Sequence, residues 1–523
     1  MQNKINLIFV FLIALIFGIV LAVDIGFADY EQLGIYAVVG IVLYFLINGW
    51  RNVWWLTALL IFSGVVFYHS FEFNAEHLFV MMLALASLMF IISRGAMPQV
   101  PEFRKAGSTS AAIVTGVLFF YGLIHFIVYY AFPYSPTDYS VKTSTKAYFE
   151  CYASMFCFFW LLVGPYGFNL KPNWSNRFIV IMVLCIAGNV AVRGALFLMG
   201  FQAADGLSDD GVGFGAVGVP IINMYPGVYT LRNISPLVCL ILFMIMTGKG
   251  WWSSNSFRMK FLVISGFFLC IVGAAFSGGR ASLPLCILLV MLGALMRRQV
   301  GLVALMGMAM VLLVAAVNIF SDLINTKAPF YVARSVQLVM IDKGSAYDTI
   351  GDSQSVRNAA IEEAVVQWKK DNRVFFFGRS VYHITWEEAF YVKSTLGHEG
   401  FVINAMKSGR THNMITDLLL QYGIVGCVLY VTAYLMVIRF IWRLRKALSD
   451  NDGIVRWLID AMAIYLPIMF IYQALGGTYM PIVVPLIIGL ARGHLVALKN
   501  RVSTPLPSEE TALTSSAADR LSS

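Results

Sequence analysis

Four arginines and a His-Asn pair carry most of the chemistry this chain has to offer: Arg193, Arg232, Arg280, Arg357, His412 and Asn413. A guanidinium stays charged beside lipid, grips oxyanions with two parallel hydrogen bonds and stabilises negative charge as it builds on a departing group. An imidazole, with an unperturbed pKa near 6.5, accepts a hydroxyl proton at neutral pH, which is the work of a general base. Asn413 either caps the helix that follows it or orients His412.

Each of these residues also has a plainer reading. Arg280 sits in SGGRAS, a turn of a few residues between two apolar runs. By position alone it is an anion-binding group fixed by two helices or an arginine snorkelling to headgroups, and Arg232 has the same two readings. Arg193 lies inside an apolar run, where an unpaired charge costs roughly 3 kcal/mol or more. It therefore pairs with an acid such as Asp205 or faces a bound anion. Arg357 is a solvated charge or a ligand-binding one, and His412 is a surface or capping residue or the base. His383 and His398 share the same polar stretch, and Tyr382, Trp386 and Tyr391 stack on a bound ligand or pack beneath it. There is no GxxxxGK[ST] and no HExxH, and SDDG from Ser208 reads as a turn. No metal and no cofactor is expected.

The elements that position these residues follow from hydropathy. Of 523 residues, 59% are hydrophobic and 12% charged, far more apolar than a soluble domain. The apolar runs are roughly 17 to 25 residues long, enough for a helix to cross about 30 Å of hydrocarbon and too long for barrel strands. The expected fold is all-α: a polytopic transmembrane bundle of about fourteen spans, placed roughly at 5–23, 33–49, 53–69, 77–93, 110–132, 150–170, 177–199, 233–248, 260–278, 281–296, 300–320, 413–438, 457–476 and 479–497. Residues 1–320 form the first part of the bundle, 321–412 one large loop, 413–498 the last spans and 499–523 a Ser/Thr/Pro-rich tail expected to be disordered. Within the loop, Val356, Ala360, Ile361, Ala364, Val365 and Trp368 recur at helical spacing and predict an amphipathic helix. The seven cysteines lie in or beside apolar runs without a CxxC pair, which argues against a disulfide framework or zinc site.

Charge orients the bundle. The net charge is +9, yet the basic residues fall in short links rather than a basic domain, which argues against nucleic acid. Links bearing Arg51, Arg94, Arg104, Lys105, Lys171, Arg177, Lys249, Arg258, Lys260, Arg297, Arg298, Arg443, Arg445 and Lys446 alternate with acidic or neutral ones. The positive-inside rule makes the basic set cytoplasmic, with both termini, and leaves the large loop outside.

Three segments resemble a known superfamily. THNMITDLLLQYGIVGCVLY from Thr411 is similar to the His-Asn motif and GxxG-containing helix that close the outer loop of O-antigen ligases and Wzy-type polysaccharide polymerases. FSGGRASLPLCILLVMLGAL from Phe276 resembles that family's short outer turn, and SVRNAAIEEAVVQWKKDNRVFFFGRS from Ser355 its loop helix and glycine turn. The likeness in order and spacing runs from about residue 230 to 430. LRNISPL from Leu231 keeps Arg, Asn and Pro in another arrangement than the family's Asn-Pro-Asn element, and FFFGRS shortens the glycine turn.

The resemblance implies a metal-independent, inverting glycosyltransferase of the bacterial inner membrane. It would move a glycan en bloc from an undecaprenyl-diphosphate carrier to a glycan or lipid A-core acceptor. Arg280 and Arg232, with Arg193 and Arg357, would hold the diphosphate; His412, supported by Asn413, would activate the acceptor hydroxyl. A ligase is one form of this reaction and a polymerase joining carrier-linked repeats the other. A polysaccharide flippase is the alternative outside the class, although transporters tend to carry broken helices with midplane charges.

Overall fold

A computed structural model describes residues 54–63, 66–68, 73–74, 100–132, 148, 151–152, 154–157, 159, 168–198, 231–232, 234–277, 281–327, 340, 348–379, 402–403, 411, 413–449, 452–476 and 480–503. The expected spans at 5–23, 33–49 and 77–93 and the tail beyond Ser503 lie outside these residues.

The described chain is helical apart from one hairpin. Its elements are α1 (Trp54–Ser63), β1 (Val66–Tyr68), β2 (Phe73–Asn74), α2 (Pro101–Lys105), α3 (Ser108–Ala131), α4 (Trp174–Leu198), α5 (Ser235–Met246), α6 (Trp251–Ser254), α7 (Phe257–Phe276) and α8 (Ser282–Met296). They continue with α9 (Val300–Ile319), α10 (Ser321–Lys327), α11 (Asp348–Lys369), α12 (Asn372–Phe377), α13 (Met414–Ala447), α14 (Ile454–Gly476) and α15 (Val483–Ser503). Among the described residues six helices are long and apolar enough to cross a membrane: α3, α4, α7, α9, α13 and α14, while α1, α5 and α8 are shorter apolar helices.

Two elements depart from the sequence expectation. The span placed at 53–69 ends as a helix at Ser63, and β1 pairs antiparallel with β2 just beyond. The run VVFY after Gly64 is β-branched and aromatic, which suits a pleated strand better than a helix. At the other end of the chain, α15 continues through Ser503, past the tail boundary at 499.

The centre of the bundle is α5. Every residue from Ser235 to Ile245 is buried, as expected of a helix that is apolar on all sides. It packs on α7, α8 and α14, while α4 packs on α1 and α7, and α3 on α13. Missing side chains let these helices approach. A Cβ at Gly266 of α7 would stand 2.6 Å from Val183 of α4, and one at Gly248, after α5, 2.3 Å from Trp457 of α14.

One polar cluster fixes which helix ends coincide. Asp460 of α14 is 2% exposed and meets Arg445 of α13 at 2.8 Å, Arg297 after α8 at 3.3 Å and Arg456 of α14 at 3.4 Å. Arg456 also donates to the Leu448 carbonyl at 2.8 Å and to that of Arg445. The ends of α8 and α13 and the start of α14 therefore share one end of the bundle, called here the basic end. The starts of α8 and α13 point the other way. With Gly248 packed on Trp457, α5 also ends at the basic end, so its start lies opposite.

Candidate functional site

The end opposite the basic cluster gathers the segments that carry the predicted site residues. Arg232 lies in the helical turn just before α5 and is half-buried. Its neighbour Leu231 stands 2.9 Å from where a Cβ of Gly273 would be, and Val190 of α4 stands 3.2 Å from the same point. The start of α5, the last turn of α7 and the last two turns of α4 thus lie together. Arg193 follows Val190 by about one turn on α4; its side chain lies outside the described residues. So does Arg280, but the residues that frame it, Ser277 and Ala281, close α7 and open α8 at this same end. Arg357 is half-buried on α11, which packs on α13 through Ala364 against Leu420. The amphipathic helix expected from Val356 to Trp368 is the body of α11.

His412 lies outside the described residues, yet both its neighbours are fixed. On one side the Thr411 amide donates to Asp417 Oδ1 at 2.8 Å and the Thr411 hydroxyl donates to the same oxygen at 2.6 Å. On the other side Asn413 is the N-cap of α13, its side-chain oxygen accepting from the Thr416 amide at 3.0 Å. Thr411 is fully buried and Asp417 is 2% exposed. A carboxylate in the first turn of a helix also complements the positive end of its dipole. The chain through 411–413 is therefore bound at two points to the first turn of α13. Of the two readings of Asn413, capping is the one its geometry displays.

Two turns beyond this start, α13 breaks. Gly423 adopts φ +66° and ψ −175°, so the segment Met414–Tyr422 departs from the axis of the remaining helix. At 1.5 Å per residue, Gly423 stands about 33 Å along α13 from Arg445, close to the thickness of a bilayer's hydrocarbon. Along α8, Ala281 stands about 24 Å from Arg297 by the same measure.

Sequence reasoning missed what holds this break. Tyr121, His125 and Tyr129 lie along one face of α3, four residues apart. Tyr121 donates to the Tyr422 carbonyl at 2.7 Å, the His125 ring meets the Phe377 carbonyl at 2.6 Å and the Tyr148 hydroxyl at 2.5 Å, and Tyr129 donates to the Gly378 carbonyl. The Arg379 amide donates to the Leu420 carbonyl at 2.9 Å, and the Arg373 guanidinium lies 5.2 Å from the Tyr129 ring centre. The signal was available: a histidine inside an apolar span needs partners, and its flanking tyrosines recur at helical spacing. Asp417 carried a weaker signal, an acid one turn after the candidate base.

Together these features tie Thr411 and Asn413, on either side of residue 412, to the first turn of α13 beside the buried Asp417, at the end of the bundle where α5 and α8 start. A half-buried arginine opening a helix at this end, Arg232, suits an anionic group. No protein-family model matches the sequence, and no curated protein matches it.

Proposed function

We propose that this chain is an integral-membrane glycosyltransferase that moves a glycan from a polyprenyl-diphosphate carrier to a hydroxyl acceptor on the outer face of the bacterial inner membrane. The basic end is cytoplasmic in this reading, the large loop is outside, and the chain crosses the bilayer about fourteen times with both termini inside. The observation that carries it is the shared end: the starts of α5, α8 and α13, which bear Arg232, the Arg280 turn and the His412 segment, all point away from the Asp460 cluster.

Arg280 and Arg232 bind the diphosphate oxygens and stabilise their charge as the anomeric bond breaks. Arg193 and Arg357 extend the same positive field. His412 removes the acceptor proton as the hydroxyl attacks from the opposite face, which inverts the anomeric centre. Asp417 and Thr411 position the His412 backbone and Asn413 starts the helix behind it.

The test is glycan transfer by purified protein in vesicles containing carrier-linked glycan. R280A and H412A should each abolish formation of a new glycosidic bond while leaving the protein in the membrane. Full transfer by both variants would overturn the proposed site, and glycan movement without bond formation would make the protein a flippase. In a deletion strain, full-length chains left on carrier identify a ligase, whereas single repeats on the core identify a polymerase.

A further inference from the structure

At the basic end, the α2–α3 turn and α13 form a partly open cavity of about 70 Å³ whose lining includes Gly107, Met436, Phe440 and the exposed Ser110, Arg439 and Arg443. Two guanidiniums face it and no carboxylate does. Among the described residues neither forms an ion pair. Arg443 Nη1 lies 3.3 Å from the position a Cβ of Gly107 would take, so it rests against the first turn of α3. That turn has no side-chain cap, and its first intrahelical bond is from the Ala111 amide to the Gly107 carbonyl. A cation beside the positive end of a helix is unfavourable unless an anion lies with them.

The surfaces leading to the cavity are apolar. On α3, Ile113, Val117 and Phe120 are 61%, 50% and 57% exposed and continue the face of Ser110; on α13, Val428 and Leu435 are exposed on the face of Arg439. The helices α3 and α13 pack together, and α3 is one of the candidate membrane spans. Polar lining at the end of a span, with exposed aliphatic strips rising from it, matches a molecule with an anionic head and hydrocarbon tails.

We infer that this cavity seats the phosphodiester of an anionic phospholipid from the leaflet at the basic end, with Arg439 and Arg443 on its oxygens and its acyl chains along the α3–α13 surface. The aliphatic strips favour a lipid over free phosphate, which shares the headgroup chemistry but would not use them. The inference does not depend on the reaction at the other end.

The experiment is native mass spectrometry of the full-length protein exchanged into mild detergent with phosphatidylglycerol and phosphatidylcholine. Wild type should retain phosphatidylglycerol selectively. R439Q/R443Q should retain it about tenfold less or weaker still, since each basic residue near an anionic lipid adds to the attraction, while R439K/R443K and R258Q, which changes a cation outside the cavity, should keep it. S110E, which puts a carboxylate at an exposed cavity position without touching either arginine, should expel the lipid in the same way. Equal retention in R439Q/R443Q and S110E would overturn the proposal. So would displacement of phosphatidylglycerol by equimolar inorganic phosphate, which would make this a free-anion site.

Discussion

Gly378 and Gly423 lie back to back. A Cβ on Gly378 would stand 2.2 Å from the Gln421 carbonyl oxygen, and one on Gly423 would stand 2.3 Å from the Phe376 carbonyl carbon. Both have positive φ, +75° and +66°, so a side chain at either position is strained as well as crowded. The turn after α12 thereby docks backbone to backbone on the break in α13. G378A and G423A should each lower stability by on the order of 3 kcal/mol, from strain and overpacking together. Thermal unfolding in detergent checks this; a melting temperature within a degree of wild type would show that the turn separates from α13 at no cost.

The side chain that bridges this junction most directly is His125, buried between the Tyr148 hydroxyl and the Phe377 carbonyl. H125F keeps a ring of similar shape but loses both hydrogen bonds, at about 1–3 kcal/mol for a buried group left without its partner. The expected result is a clear loss of thermal stability in H125F and a smaller loss in H125Q, whose amide can restore one bond.

Around residue 412 the two anchors should behave differently. Asp417 accepts two hydrogen bonds from Thr411, and hydrogen bonds to a charged group contribute about 1.5–3 kcal/mol each. Under the proposed reaction, D417A should therefore reduce glycan transfer nearly as far as H412A, with kcat falling more than KM changes. N413A should cost about 1 kcal/mol of stability, the usual loss of a cap. N413D or N413S, which can still cap α13, should recover both stability and transfer; a dead N413S in a stable protein would give Asn413 a role beyond capping.

At the opposite end, D460N would remove the shared counter-charge of Arg297, Arg445 and Arg456. Breaking a fully buried ion pair costs about 3–5 kcal/mol, and the three guanidiniums here keep 17–23% side-chain exposure, which puts the expected loss at the low end of that range. D460N should therefore be among the most destabilising single substitutions in the bundle. Replacing Arg297 alone should cost less, since two guanidiniums remain on the carboxylate. Chemical unfolding of the two variants side by side decides the order.

Helix positions were legible because hydropathy is a local property. The runs expected at 110–132, 260–278, 281–296 and 300–320 match α3, α7, α8 and α9 to within a few residues. The exception at 53–69 arose where strand-favouring side chains followed a glycine, a contrast that average hydropathy does not register. The long loop's helix was equally plain from its spacing, because burying one face of α11 on α13 needs only the 3.6-residue period.

Sequence by itself determined that this chain lives among lipids as helices, which residues could grip an anion or take a proton, and which helix Asn413 would cap. Tertiary structure decided which helix ends meet. Asp460 joins Arg297 and Arg445 from two other helices, His125 reaches Phe377 from 252 positions away in the chain, and the glycines at 378 and 423 touch only because α12 folds onto α13. Those relations depend on distances between remote segments, and a distance in space is fixed by the packing of whole helices rather than by the character of any one run of residues.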